Sequence, residues 1–432
     1  MNLTQLRRVM QDSGVRKLYA KRLAANDNSK NQIYLGPDFS VLNLLPLGPV
    51  VADPENPQIL KAPLALRWLA DDGDVSDAPH AQVIFYPQYP EVRMSGFLRG
   101  SRCAPSALMT SRSLGRVLML GATQTGTVIA HVSPSESEVA REFEALPAPT
   151  VVGVFTEVPL SRLEPRVVLV AALKEVANEG WITSHRLDSI GQSLDCDSSN
   201  CGGLTLEAEL GIRPNGLSEP DFHGWELKSH SVRDLTRPQS GGAITLMTPE
   251  PTSGYYRTGG PEAFIRRYGY RDPVRPDRLN FSGRHLVGVL SARSNLTLTL
   301  DGFDAARNRI TDAASGITLL TRSGDIAAVW RYSDLMTHWN RKHAFAAYVP
   351  SLHRSHPRNQ YRYGHVVRLG EGTDFLLLLQ AFAAGTVYYD PGLKVELASS
   401  ARPEVKRRNQ FRTASRHLGA LYRTLSTVDV LR

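Results

Sequence analysis

The sequence predicts an α/β (α+β) protein: a β-rich barrel or sandwich first, then a central mixed sheet flanked by helices. Three observations carry this. Six short apolar runs, separated by Pro and Gly, crowd residues 32–155. A helical pattern, "SRLEPRVVLVAALKEVANEG", begins at residue 161 and opens a stretch where helices and strands alternate. The chain has 432 residues, too many for one ordinary core.

The six runs are "QIYLG" (32–36), "AQVIFY" (81–86), "VRMSGFL" (92–98), "RVLMLG" (116–121), "GTVIAH" (126–131) and "TVVGVF" (150–155). Short strands at this density fit a barrel or sandwich. "SPSESEVAREFEAL" reads as a helix capped by Ser133 or Ser135. The texture changes after Phe155. The expected division is a first domain at 1–155, a linker at 156–160 and a second domain at 161–432. Pro165 lies near the start of the first helix of the second domain and Gly180 is placed to end it. "FLLLLQAFAAG", from Phe375, is too short to span a bilayer and reads as a buried helix.

Hydrophobic residues make up 42% and charged residues 21%, the balance of a globular chain rather than a disordered one. The net charge is +8 and most of the 50 basic residues are Arg. Guanidinium forks match phosphates and base edges, so the charge points to nucleic acid, although an Arg-favouring codon bias gives the same composition. The N-terminal residues lack the apolar core of a signal peptide, so a cytoplasmic protein without membrane contact is expected. Cys103, Cys196 and Cys201 form no disulfide framework; the last two are expected as free thiols, because their spacing is not a zinc spacing.

The chemistry centres on "PDFHGWELKS", Pro220–Ser229. If "GWELKS" is a strand, Glu226 and Lys228 project to one side while Trp225 and Leu227 pack on the other. A turn can bring Asp221 alongside. Two adjacent carboxylates repel and call for a cation such as Mg²⁺, and a nearby Lys can orient or help deprotonate an attacking water. The same spacing also arises as a solvated strand edge with ion pairs. Upstream, "GGLTLEAELGI" reads as a helical turn. Glu207 and Glu209 lie about 200° apart around it, so one of them can face the site.

These segments resemble the MvaI/BcnI family of restriction endonucleases, a PD-(D/E)xK branch akin to the MutH mismatch-repair nickase. The matching residues are Gly203–Glu207, Pro220–Phe222 and Glu226–Lys228, with softer matches at 246–256, 267–270, 338–350 and 385–395. The resemblance implies Mg²⁺-dependent hydrolysis of duplex DNA. Asp221, Glu226 and Glu207 would hold the metal, Lys228 would be the water-orienting base, and Glu207 rather than Glu209 would complete the site.

The segment 401–423 holds seven Lys/Arg against one acid. Read as a helix, it lines up Arg408, Arg412 and Arg416 as one ridge for phosphates, or as a solvated face. His343 reads as a DNA contact or as a structural histidine. In the first domain, "KLYAKRLAANDNSKNQIYLG" crowds amides, Asn26 among them, ahead of a strand, where an ordinary loop is the plain alternative. This stretch and "EVRMSGFLRG" resemble the B3-like pseudobarrel of EcoRII-type effector domains. The resemblance implies that Glu91 and Arg93 contact bases and that Lys21 and Arg99 hold phosphates or neighbouring bases. Double-stranded DNA is thus the expected partner, with a cognate methyltransferase encoded nearby.

Three readings follow. The first is a type II restriction endonuclease cutting at a short, C/G-rich pseudopalindromic site. The second is a modification-dependent or nicking nuclease. The third is a DNA-binding relic without activity, which the intact set of Asp221, Glu226, Lys228 and Glu207 disfavours.

Overall fold

A computed structural model describes residues 1–25, 27, 31–89, 91–146, 150–160, 165–198, 200–213 and 220–432. The chain forms two compact units, Met1–Glu164 and Pro165–Arg432.

In the first unit, helix α1 (Leu3–Asp12) starts at Asn2, whose side chain accepts from the Gln5 N–H at 2.9 Å while the Gln5 side chain returns the bond. Twelve strands follow: β1 (Val15–Arg22), β2 (Gln32–Gly36), β3 (Val51–Ala52), β4 (Leu60–Pro63), β5 (Leu66–Leu69), β6 (Val75–Ala78), β7 (Gln82–Tyr86), β8 (Glu91–Ser95), β9 (Val117–Thr123), β10 (Val128–Ser133), β11 (Thr150–Val152) and β12 (Phe155–Glu157). They build a seven-stranded sheet, β11-β12-β1-β9-β10-β5-β6, and a five-stranded sheet, β2-β8-β7-β4-β3. Short helix α2 (Ser106–Thr110) precedes β9, and α3 (Glu138–Glu144) packs Val139, Ala140 and Phe143 with Leu3, Leu6 and Met10 of α1.

All six expected runs contain strands, but two expectations are corrected. The cap of α3 is Ser137, whose Oγ accepts from the Ala140 N–H at 3.1 Å, because the helix starts later than its Ser/Glu-rich prelude suggests. The linker expected at 156–160 is partly sheet: β12 pairs with β1, the Val158 N–H donates to the Leu18 carbonyl at 2.8 Å, and Val158 is buried.

The second unit begins with α4 (Pro165–Asn178), opened by Pro165 and followed by Gly180 at φ 74°. After β13 (Ile182–Thr183), the hairpin β14 (His185–Leu187) and β15 (Ser193–Asp195) leads into α5 (Cys201–Glu209). Strand β16 (Glu226–Ser231) runs parallel to the long strand Phe345–Arg354, with Glu226 opposite Ala346 and Lys228 opposite Tyr348. Strands Gln360–Tyr363 and Val366–Glu371 line the other side of the long strand, and Thr424–Asp429 follows outward. Leu169, Leu173 and Val176 of α4, Leu206 of α5, and Trp225, Leu227, Ala347 and Val349 share one core.

Four further helices complete the unit: α6 (Tyr255–Thr258), α7 (Gly260–Tyr268), α8 (Tyr332–His343) and α9 (Phe375–Ala383), the last buried as expected. No helix among the described residues is long and apolar enough to cross a membrane. The segment 401–423 is not helical. It forms strands Glu404–Lys406 and Phe411–Ala414 and the 3₁₀ segment Ser415–Leu421, so the four-residue steps of its arginines generate no ridge. The alternating burial of Phe411 and Thr413 betrays a two-residue period there.

Cys196 and Cys201, expected as free thiols, are joined in a disulfide. Both are buried, and the bond ties the end of β15 to the first residue of α5. The loop that it closes is short, so replacing either Cys by Ser should cost about 2 kcal/mol. A denaturant titration of Cys201→Ser under non-reducing conditions measures this, and a midpoint equal to that of the unchanged protein is the contrary result.

Candidate active site

The turn between Asp221 and Glu226 is the first device of the site. Phe222 and Trp225 exchange two backbone hydrogen bonds, of 2.9 and 2.8 Å, around His223 and Gly224. Both central residues have positive φ, 47° and 86°, which is the requirement of a two-residue hairpin of type I′. Gly meets it without strain. The hairpin folds Asp221 back beside Glu226, and the Leu227 N–H donates to Asp221 Oδ2 at 2.9 Å.

On β16, alternation works as the sequence predicts. Trp225 and Leu227 enter the core, while Glu226 and Lys228 share the other side. Lys228 Nζ donates to Glu226 Oε1. Glu226 is 1% exposed, and its second oxygen, Oε2, is buried with no hydrogen-bond partner among the described residues. Helix α5 packs beside β14 and β16. Gly202 allows its first turn to approach Tyr361, since a Cβ there would stand 3.0 Å from the ring. The Tyr363 hydroxyl then donates to the Gly202 carbonyl at 2.7 Å.

Charge couples these groups. Burial, and next the Glu226 carboxylate, push the Asp221 carboxyl up to about 7, with Glu207 adding to the rise. Burial also raises Glu207, where Lys228 opposes the shift and Glu226 reinforces it. Burial disfavours ionised Glu226 as well, but Lys228, and further Lys342, outweigh it and hold its pKa below the usual carboxylate value. The cluster is therefore three carboxylates under mutual repulsion with two ammonium groups beside them.

The donor set suits a hard cation. Mg²⁺ takes one or two carboxylates, with waters and substrate phosphate completing its shell. Asp221 and Glu226, the latter with a spare buried oxygen, offer that seat. Among the described residues no group of three or more His, Cys, Asp or Glu side chains is close enough to hold a metal alone. Glu207, borne on α5, is tied to the other two through charge.

Sequence reasoning missed Lys342 and His338 on α8. Lys342 Nζ lies 3.4 Å from the same Glu226 Oε1 that Lys228 binds. The available signal was their spacing of four in "HWNRKH", which puts both on one helix face.

Several predicted DNA contacts are placed elsewhere. His343 is fully buried, stacked on Trp339 at 4.2 Å, with Nε2 3.0 Å from the Leu246 carbonyl oxygen. Burial, reinforced by Lys228, lowers its pKa to about 3, so it is a neutral brace rather than a DNA contact. Arg412 is held by Asp390 at 2.8 Å and by the Ala243 carbonyl at 3.0 Å. Arg408 and Arg416 are exposed, but Arg408 lies between two strands and Arg416 sits in the 3₁₀ segment.

In the first unit, Lys21 is 5% exposed and paired with Asp27 at 2.6 Å, which also accepts from the Ala24 N–H at 2.8 Å. The pair closes the turn after β1, so Lys21 is not available to a phosphate. Glu91 and Arg93 do stand together on β8, in contact with each other, and Arg93 Nη1 donates to Gln32 Oε1 at 3.2 Å. Both are partly exposed, and Arg99 is exposed. Asn26 lies outside the described residues.

A sequence profile of the MvaI/BcnI restriction endonuclease family matches residues 170–422. Among solved structures, one titled restriction endonuclease MvaI–cognate DNA substrate complex is similar at 18% identity and a TM-score of 0.46, over 62% of this chain and 99% of that one. MvaI in the absence of DNA is similar at 18% identity and a TM-score of 0.35, with the same coverage. No curated protein sequence matches the chain. The profile spans the Asp221–Glu226 hairpin, β16, α5 and α8, and on that match the chain belongs to the MvaI/BcnI restriction endonuclease family.

Proposed function

We infer that this protein is a Mg²⁺-dependent type II restriction endonuclease that hydrolyses phosphodiester bonds of duplex DNA at a short specific site. The observation that carries it is the hairpin that sets Asp221 against Glu226, with Lys228 on the same strand face, inside the segment matched to the family. Asp221 and Glu226 are the metal-binding carboxylates. When bound, Mg²⁺ supplies Lewis-acid stabilisation of the charge that builds on the phosphoryl oxygens. Lys228, fixed by Glu226, orients the attacking water. Water oxygen bonds to phosphorus as one bridging P–O bond breaks; the water's proton passes to solvent and the departing oxygen takes one up from solvent, which leaves a hydroxyl and a phosphate monoester. Glu207 maintains the negative field that keeps the seat selective for a cation.

The first unit is the reader of DNA sequence in this proposal. Arg93, steadied by Glu91 and Gln32 on the outer face of the five-stranded sheet, offers a fork for a guanine edge. Arg93→Ala should weaken site-specific binding by about 1–3 kcal/mol. Competition footprinting checks this, and an unchanged footprint removes Arg93 from recognition. The whole reading is tested by digesting methylated and unmethylated plasmid with Mg²⁺ and sequencing the ends. Discrete ends on unmethylated DNA are expected. Cutting confined to methylated DNA, or none, refutes it.

A further inference from the structure

We propose that Lys342 of α8 is a second catalytic lysine of this site, which contacts the scissile phosphate. The inference rests on the reading above and extends it. Glu226 receives two ammonium groups on one oxygen: Lys228 in a hydrogen bond, and Lys342 at 3.4 Å. If neutralising Glu226 were the task of both, the second would gain more at Oε2, which is buried and has no hydrogen-bond partner among the described residues. Both ammonium groups meet Oε1, and each has three N–H donors, so Lys342 keeps donors that Glu226 does not take. Lys342 is 26% exposed along its side chain and Lys228 22%, whereas Glu226 is buried. A phosphodiester oxygen arriving from solvent is an acceptor that the remaining N–H donors of Lys342 can meet.

The helix beneath Lys342 is firmly mounted. Trp339 Nε1 donates to Thr373 Oγ1 at 3.0 Å, and His343 meets the Leu246 carbonyl. His338 lies one turn earlier on the same side of α8, and burial, then Lys342, push it below its usual pKa. A charge presented from a fixed platform needs little reorganisation when the substrate arrives.

The experiment is single-turnover cleavage of a duplex carrying the site mapped by plasmid digestion, at saturating protein. It is run with Lys342→Met, Lys342→Gln and Lys342→Arg, alongside duplex binding in Ca²⁺ and melting temperature. Expected are a rate about 100-fold lower for Met and Gln, not restored by raising Mg²⁺, and partial recovery with Arg. Melting temperature should stay within a few degrees. Wild-type rates in Met or Gln overturn the inference, as does recovery by Mg²⁺ alone, which would confine Lys342 to the metal seat. Should Lys342→Met fail to fold, Gln and Arg decide by the same criteria. An unchanged protein inert on every duplex instead removes the proposed function and this inference with it.

Discussion

Lys228→Ala is expected to abolish Mg²⁺-dependent cleavage, a loss of about 1,000-fold or more in single-turnover rate, while duplex binding in Ca²⁺ persists. The variant should fold. Lys228 is partly exposed, and the β16 ladder and the burial of Trp225 and Leu227 do not involve its side chain. Glu226 also keeps a cation, since Lys342 remains 3.4 Å from Oε1. A loss of rate with an intact fold therefore isolates the ammonium at the position where water must be oriented. Lys228→Arg tests geometry separately: the charge stays, but a planar fork replaces a point donor. Cleavage by Lys228→Ala at the unchanged rate would falsify the assignment.

The site was more legible in the sequence than its surroundings. Period-two alternation told which residues of "GWELKS" share a face, and a His-Gly pair between an acid and a strand allowed the hairpin. What alternation does not encode is which distant element covers that face. Lys342 is more than a hundred residues away, and only the parallel pairing of β16 with Phe345–Arg354 brings the end of α8 near it. The arginines of 401–423 failed for a related reason. Charge spacing was read with a helical period, although the apolar residues between them keep a strand period, and apolar burial rather than charge decides the element. Lys21 and His343 failed because residue type says nothing of depth: a Lys pairs with Asp27 in the interior, and a His at the end of α8 stacks on Trp339. Cys196 and Cys201 meet because α5 starts immediately after a hairpin, a geometry that pair spacing alone leaves open.

Asp221→Asn is expected to inactivate the enzyme and also to stabilise the protein above neutral pH. In the folded state burial and the neighbouring carboxylates raise Asp221 from 3.8 to about 7. Between those values the native state holds a proton that the unfolded chain has released. Stability therefore falls as pH rises through this window, and the full cost is present above about pH 7. It is on the order of 2–4 kcal/mol. Asn cannot ionise, yet its Oδ1 can still accept from the Leu227 N–H, so the hairpin keeps its bond. The melting temperature of Asp221→Asn should exceed that of the unchanged protein at pH 8, and the gap should close as pH falls through 7 towards 4. Added Mg²⁺ should raise the unchanged protein at pH 8 far more than the variant, because a cation bound to the folded state relieves the repulsion that Asn removes. Equal melting temperatures at pH 8 without Mg²⁺ would mean that Asp221 and Glu226 do not share one field. The metal seat would then have to lie elsewhere. A site that is least stable when its carboxylates are fully charged favours ion binding, because a bound cation offsets both the burial of the Asp221 charge and its repulsion from Glu226.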